Sequence, residues 1–164
     1  MGSSLSAQVR RVDVSEDVAA GRRYDYADAF EVQLPEPEQQ PPRAWVLAGL
    51  NEAPVLVERV ARWLGVDRDG STAGGTGGWD VVESSADVIQ MEQTVPLMHV
   101  VLVGRRVGNS GRRFTSLLYF TRPVPARLVW VLVGIGHRWM VRRLLVGARA
   151  TPVPHRQPNA ADAA

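Results

Sequence analysis

Apolar positions along the chain switch between a period of two and a period near 3.6. Val9 to Val14 and Ala29 to Leu34 alternate with polar neighbours, as short strands do, and the second run stops at Pro35-Glu36-Pro37 and Pro41-Pro42. Helical spacing follows, with Trp45, Val46 and Leu50 on one face and Leu56, Val57, Val60, Trp63 and Leu64 on another. Pro54 cannot sit inside a continuous helix without the loss of a hydrogen bond, so the spacing predicts two short helices meeting near Asn51 to Pro54. Gly65 ends the second, and Asp67 to Gly78, with five Gly in twelve residues, reads as a flexible linker.

Four strand-like segments come next: Trp79 to Ser84, Ala86 to Val95, Leu97 to Val107 and Arg112 to Thr121. Turns at Pro96 and at Gly108-Asn109-Ser110-Gly111 make them an antiparallel meander. In the second segment Ile89, Met91, Gln93 and Val95 share the more apolar face, which makes Gln93 a buried amide in need of a partner. In the last segment Phe114, Leu118 and Phe120 oppose Thr115, Leu117 and Tyr119, and both faces are apolar enough to be the inner one.

After Pro123-Val124-Pro125 the pattern is helical to about Ala150. On a wheel of roughly 100° per residue, Arg127, Arg138, Arg142 and Arg149 form a wet stripe opposite Val129, Val133, His137, Met140 and Leu144. Gly134 and Gly136 weaken the middle of this helix and predict a kink there. The domain so delimited runs from 9 to 150, after a flexible stretch at 1–8 and before a tail at 151–164 rich in Pro and Ala. Strands, short helices, strands and a long last helix make the class α+β, because the meander must cover one face and the last helix offers a dry surface to cover it.

Composition narrows the chemistry. Leu, Ile, Val and Phe total 44 of 164 residues, enough for one globular core, and the absence of Cys removes thiol catalysis, Cys–zinc sites and disulfides. All nineteen basic residues are Arg, so Schiff-base chemistry and Lys-dependent phosphate loops are excluded. No run reaches the length of a membrane span: Leu128 to Gly136 is bounded by Arg127 and by His137-Arg138. Met1 to Ser6 lacks an apolar signal core, which sets the cytoplasm as the expected location; the same residues fit a loose myristoylation pattern that chance explains better. Residues 1–92 hold eight Arg against sixteen acids and residues 93–164 eleven Arg against Asp162 alone, an asymmetry read as attraction between the halves ahead of nucleic-acid binding.

No cofactor motif is present. The three His, at 99, 137 and 155, lack metal-ligand spacing, and Gly108 to Gly111 is a turn with a serine in it, not a nucleophile elbow. A two-residue reversal at Val95-Pro96 would set Glu92 opposite His99, either as a surface ion pair or as an acid–base pair. His137, in the middle of the dry helix face, is either a hydrogen-bonded core residue or a ligand contact. A cavity enclosed by sheet and helix would be walled by Trp45, Trp79, Gln93, Thr115, Tyr119, Trp130 and His137. The corresponding activity is binding of a small apolar or aromatic molecule without catalysis. The alternatives are a cavity enzyme of cyclase or dehydratase type, with His137, His99 or Glu92 as acid or base, and a protein-interaction domain using the Arg stripe.

Several short stretches, in order, resemble the DUF2867 family of uncharacterised bacterial domains: Asp25 to Phe30, Trp45 with Ala53-Pro54, Trp63-Leu64-Gly65, Gly78-Trp79, Leu97-Met98, Arg122-Pro123 with Ala126-Arg127 and Trp130, and His137-Arg138 followed by Val141 and Leu144-Leu145. The likeness spans about Val9 to Ala148, with Gly134-Ile135-Gly136 where that family tends to have Pro. It implies a helix-grip fold of the START or Bet v 1 kind, a curved antiparallel sheet wrapped around a long C-terminal helix, and implies no reaction.

Overall fold

A computed structural model describes residues 8–51 and 78–147. The second short helix expected near 55–65, the glycine-rich linker at 67–77 and the tail at 151–164 lie outside the described residues. In chain order the elements are β1 (Arg10–Val12), α1 (Asp17–Ala20), β2 (Tyr26–Gln33), α2 (Pro42–Asn51), β3 (Asp80–Ser84), β4 (Val88–Val95), β5 (Met98–Val107), β6 (Gly111–Phe120) and α3 (Pro123–Gly147). The strands form one six-stranded sheet in the order β1-β2-β6-β5-β4-β3, and every neighbouring pair is antiparallel.

Local chemistry accounts for the joints. The β5–β6 hairpin turns through Gly108, which takes φ +59°, a left-handed value that glycine adopts without a Cβ clash. The β4–β5 hairpin reverses at Pro96-Leu97, with Val95 paired to Met98. This moves the turn one residue on from the expected position, so His99 faces Thr94, and Glu92 is its diagonal neighbour on the same side. Pro123 and Pro125 fall in the first turn of α3, where backbone N–H groups have no intrahelical acceptor to lose. The helix then continues unbroken through Gly134 and Gly136.

Both faces of the sheet are covered, which explains why both sides of β6 are apolar. On one face Phe30, Ile89, Met91, Leu102 and Phe114 pack with Trp45 and Val46 of α2 and with Val141, Leu144 and Leu145 of α3. Met98 and Leu118 extend this layer to Ala126 and Trp130 at the start of α3. On the other face Val88, Val101, Val103, Leu117 and Tyr119 are capped by Val14, Val18, Ala19 and Ala27, from the β1–α1 segment and β2. Gly49 lets α2 approach α3: a Cβ there would fall under 3.0 Å from the side chain of Leu144. A buried pair, Arg112 with Glu38, ties β6 to the loop before α2, and the same guanidinium donates to the Leu145 carbonyl of α3 at 3.3 Å.

Two differences from the sequence reading matter for the site. β2 begins at Tyr26, three residues before the predicted start, which brings Asp28 into the sheet opposite Ser116 of β6. The outer side of α3 carries arginines as expected, but Leu128, Val131, Leu132 and Ile135 are exposed among them.

Candidate functional site

A small polar cluster lies between the sheet and α3. Along β2 the period of two turns Tyr26, Asp28 and Phe30 to the same side, and Asp28 pairs in register with Ser116. His137 comes down from α3 onto this pair: its Nε2 is 3.2 Å from Ser116 Oγ and 3.5 Å from Asp28 Oδ1. Tyr26 donates its hydroxyl to Asp28 Oδ2 at 2.8 Å. Trp130, two turns before His137 on α3, fills the space between the rings. Its centroid is 4.7 Å from Tyr26 and 5.0 Å from His137, both tilted. Asp28 is 1 % exposed and His137 7 %, so the cluster is buried in otherwise apolar packing.

Electrostatics fix the state of the carboxyl. Burial by itself would raise the pKa of Asp28, but the hydrogen bond and positive charge of His137, with the hydroxyls of Tyr26 and Ser116, outweigh it and hold the group below its ordinary value. The Tyr26 phenol is pushed up to about 12, first by burial and then by the adjacent carboxylate. Asp28 is therefore an anion, and its Oδ1 faces His137 Nε2 at 3.5 Å, an ion-pair contact at the long end of hydrogen-bond range. Ser116 and Asp28 both address the same imidazole nitrogen. A nucleophilic relay needs the serine on one ring nitrogen and the carboxylate on the other, so this arrangement is not a serine-hydrolase triad. It sets a carboxylate against an imidazole nitrogen, with Asp28 Oδ1 met, among the described residues, only by that long contact.

The residues singled out from the sequence divide between the two faces. Trp130 and His137 meet in the cluster. Trp45 is fully buried in the main core with Arg112 over its ring at 5.5 Å, and Trp79 is half-buried against the same core. Gln93 is half-buried on β4, with Val100 across from it. Thr115 and Tyr119 belong to the opposite side of the sheet. Thr115 donates to Glu16 at 3.2 Å, where Arg105 also binds, and Tyr119 lies between Arg22, 4.5 Å over its ring, and His99 at 5.9 Å. They cannot share a wall with His137, because β6 alternates. The Glu92–His99 contact is present at 3.3 Å, with Thr94 Oγ1 2.9 Å from the other ring nitrogen.

Tyr26, Asp28 and Ser116 were missed as site residues. The available signal was the alternation Tyr26-Asp28-Phe30, since extending the strand backwards from Phe30 places an acid on the core-facing side. Among the described residues two open clefts are lined near the N-terminal segment. One, of about 530 Å³, runs along Ala19 to Tyr24; the other, of about 650 Å³, is lined by residues of Arg11–Val14 with Tyr24, Ala27 and Asp28. Neither touches His137 or Trp45, Trp79 or Trp130, but Asp28 belongs both to the wall of the larger cleft and to the buried cluster. Among the described residues no three His, Asp or Glu side chains are grouped as a metal site, and no helix is long and apolar enough to cross a membrane.

Fold and cluster together define an α+β domain with an antiparallel sheet, a long C-terminal helix and a buried aspartate–histidine pair between them. Comparison with protein-family models, with curated proteins and with solved structures finds no match to this chain.

Proposed function

We propose that the protein is a helix-grip domain that binds a small, largely apolar or aromatic molecule, with no catalysis of its own, and that it is akin to the DUF2867 domains. The observation that carries the binding reading is Asp28 Oδ1, a buried anionic oxygen in an apolar layer that is met, among the described residues, by the long 3.5 Å contact with His137 Nε2 and by no closer donor. A carboxylate oxygen has room for a second donor, and a ligand hydroxyl or N–H would supply one. Trp130 packs between the rings of Tyr26 and His137, so a ligand would take up flat apolar contact there by displacing the Trp130 ring. Helix-grip architecture is supported by the element order: a strand, helix α2, the β3–β6 meander, and a helix of 25 residues laid across the sheet.

A panel of small aromatic and aliphatic alcohols and amides, screened by ¹H–¹⁵N chemical-shift mapping, tests the reading. Shifts should converge on Tyr26, Asp28, Ser116, Trp130 and His137. Shifts confined to Thr115, Tyr119 and Arg22 would place any binding on the other face and refute the assignment.

One observation favours a second reading, proton-transfer catalysis: an ionised carboxylate adjoins an imidazole, the pairing that general acid–base chemistry uses. A turnover that falls by more than about tenfold in His137→Gln would establish it, whereas smaller losses in His137, His99 and Glu92 variants alike would exclude it.

A further inference from the structure

Helix α3 is apolar on two opposite sides. One side packs on the sheet. On the other, Val124, Leu128, Val131, Leu132 and Ile135 are each between 66 and 74 % exposed, and Trp139 is 51 % exposed. At roughly 100° per residue these six fall within about a third of the helix circumference, a stripe about 22 Å long. Arg127, Arg138, Arg142 and Arg143 are exposed beside or within it, and the 25 residues of α3 contain no acid. Only three other large apolar side chains are exposed among the described residues, one of them Val146 on the same helix.

We infer that this face of α3 docks on an anionic lipid bilayer. An exposed apolar stripe of this size is unusual for a protein surface that meets only water, so something covers it. The charge selects the occupant. Pairing the stripe with a second copy would bring eight arginines together with no acid from either helix, which is repulsive at close range. The stripe is the convex side of a single helix, and a bilayer interface accepts a convex apolar ridge. Trp139, under the Arg143 guanidinium at 5.4 Å, has the amphipathic position that tryptophan takes at headgroup depth. With no helix able to cross a membrane among the described residues, the mode is lying on the surface. His137 is on the buried side of α3, so this surface is separate from the polar cluster.

Sedimentation of the full chain with vesicles tests the inference. The protein should pellet with vesicles of equal phosphatidylglycerol and phosphatidylcholine, stay in solution with phosphatidylcholine alone, and be released by high salt. Ile135→Glu should weaken binding about tenfold or more, as expected for losing one buried aliphatic side chain. Arg138→Glu with Arg142→Glu should do the same, whereas Val82→Glu, on exposed β3, should bind as the parent does. Circular dichroism of each variant checks that the fold is kept, and for a variant that fails to fold, Leu132→Glu replaces it. Absence of pelleting with anionic vesicles, equal binding to neutral ones, or indifference to the α3 substitutions overturns the inference. So does a dimer abolished by Ile135→Glu, or tighter binding to poly-glutamate than to vesicles.

Discussion

Asp28→Asn removes one negative charge from the helix–sheet interior and leaves its shape nearly unchanged. The Tyr26 hydroxyl, 2.8 Å from Asp28 Oδ2, then donates to a neutral acceptor, a weakening of about 1 kcal/mol. The contact of 3.5 Å with His137 Nε2 loses its Coulomb attraction, about 4 to 5 kcal/mol for full charges at an effective dielectric of 20. One effect reduces this: the variant no longer desolvates a carboxylate. The net loss of unfolding free energy is about 2 to 4 kcal/mol, overlapping the lower part of the roughly 3 to 5 kcal/mol for breaking a buried pair by removing one member. Denaturant unfolding at pH 5 measures it. Because the folded pKa of Asp28 lies below its unfolded value, its contribution is complete above the ordinary carboxylate pKa of about 4 and is lost as pH falls through the folded value. The gap between parent and variant should therefore narrow below about pH 4. Glu31, set between Arg10 and Arg113, and Glu38, beside Arg112, are also held low, but they add acid sensitivity to both proteins and cancel in the difference. A gap under about 0.5 kcal/mol at pH 5, or one that widens on acidification, would refute the electrostatic reading of the cluster.

Alkaline titration followed at 295 nm should show Tyr26 ionising near pH 12 and Tyr119 above the ordinary value of 10, and Asp28→Asn should bring Tyr26 down. Gly49→Ala should destabilise by about 1 to 3 kcal/mol in chemical unfolding, because the added methyl has to displace Leu144, and Leu144→Ala should make the same change at 49 nearly harmless. Thr115→Val and Tyr119→Phe, on the far face of the sheet, should leave the affinity for any ligand found by shift mapping within about twofold, whereas Trp130→Ala should weaken it by more than about tenfold through lost ring contact.

Periodicity made the meander and the last helix legible, because each buries a full face and so repeats its signal over eight or more residues. β4 and β5 are found within two residues of the expected ends, and Ile89 and Met91 point inward as read. α1 was not visible, since a single turn has no period. β2 was read from Ala29, whereas Asp28 lies inside it, across from Ser116 of β6 and 3.5 Å from His137, residues 88 and 109 positions further on. Distant partners of this kind are what a linear pattern cannot display: His137 announced itself as a polar residue on a dry face, but the groups that answer it are on two strands. The same limit hid the double covering of β6, where the β1–α1 segment caps the side bearing Thr115 and Tyr119. The wheel of α3 separated its arginines from its core but did not show that leucines and valines between those arginines would stay exposed.

Native mass spectrometry of the full chain purified from its own cells, side by side with Asp28→Leu and His137→Leu, bears most directly on the binding proposal. The parent should carry a small molecule of defined mass at a stoichiometry of one, released on collisional activation, and both variants should be recovered folded and without it. A parent that is folded and free of any adduct, and that gives no converging shifts with the aromatic and aliphatic panel, would contradict ligand binding at Asp28 and His137. An adduct retained equally by both variants would contradict the site.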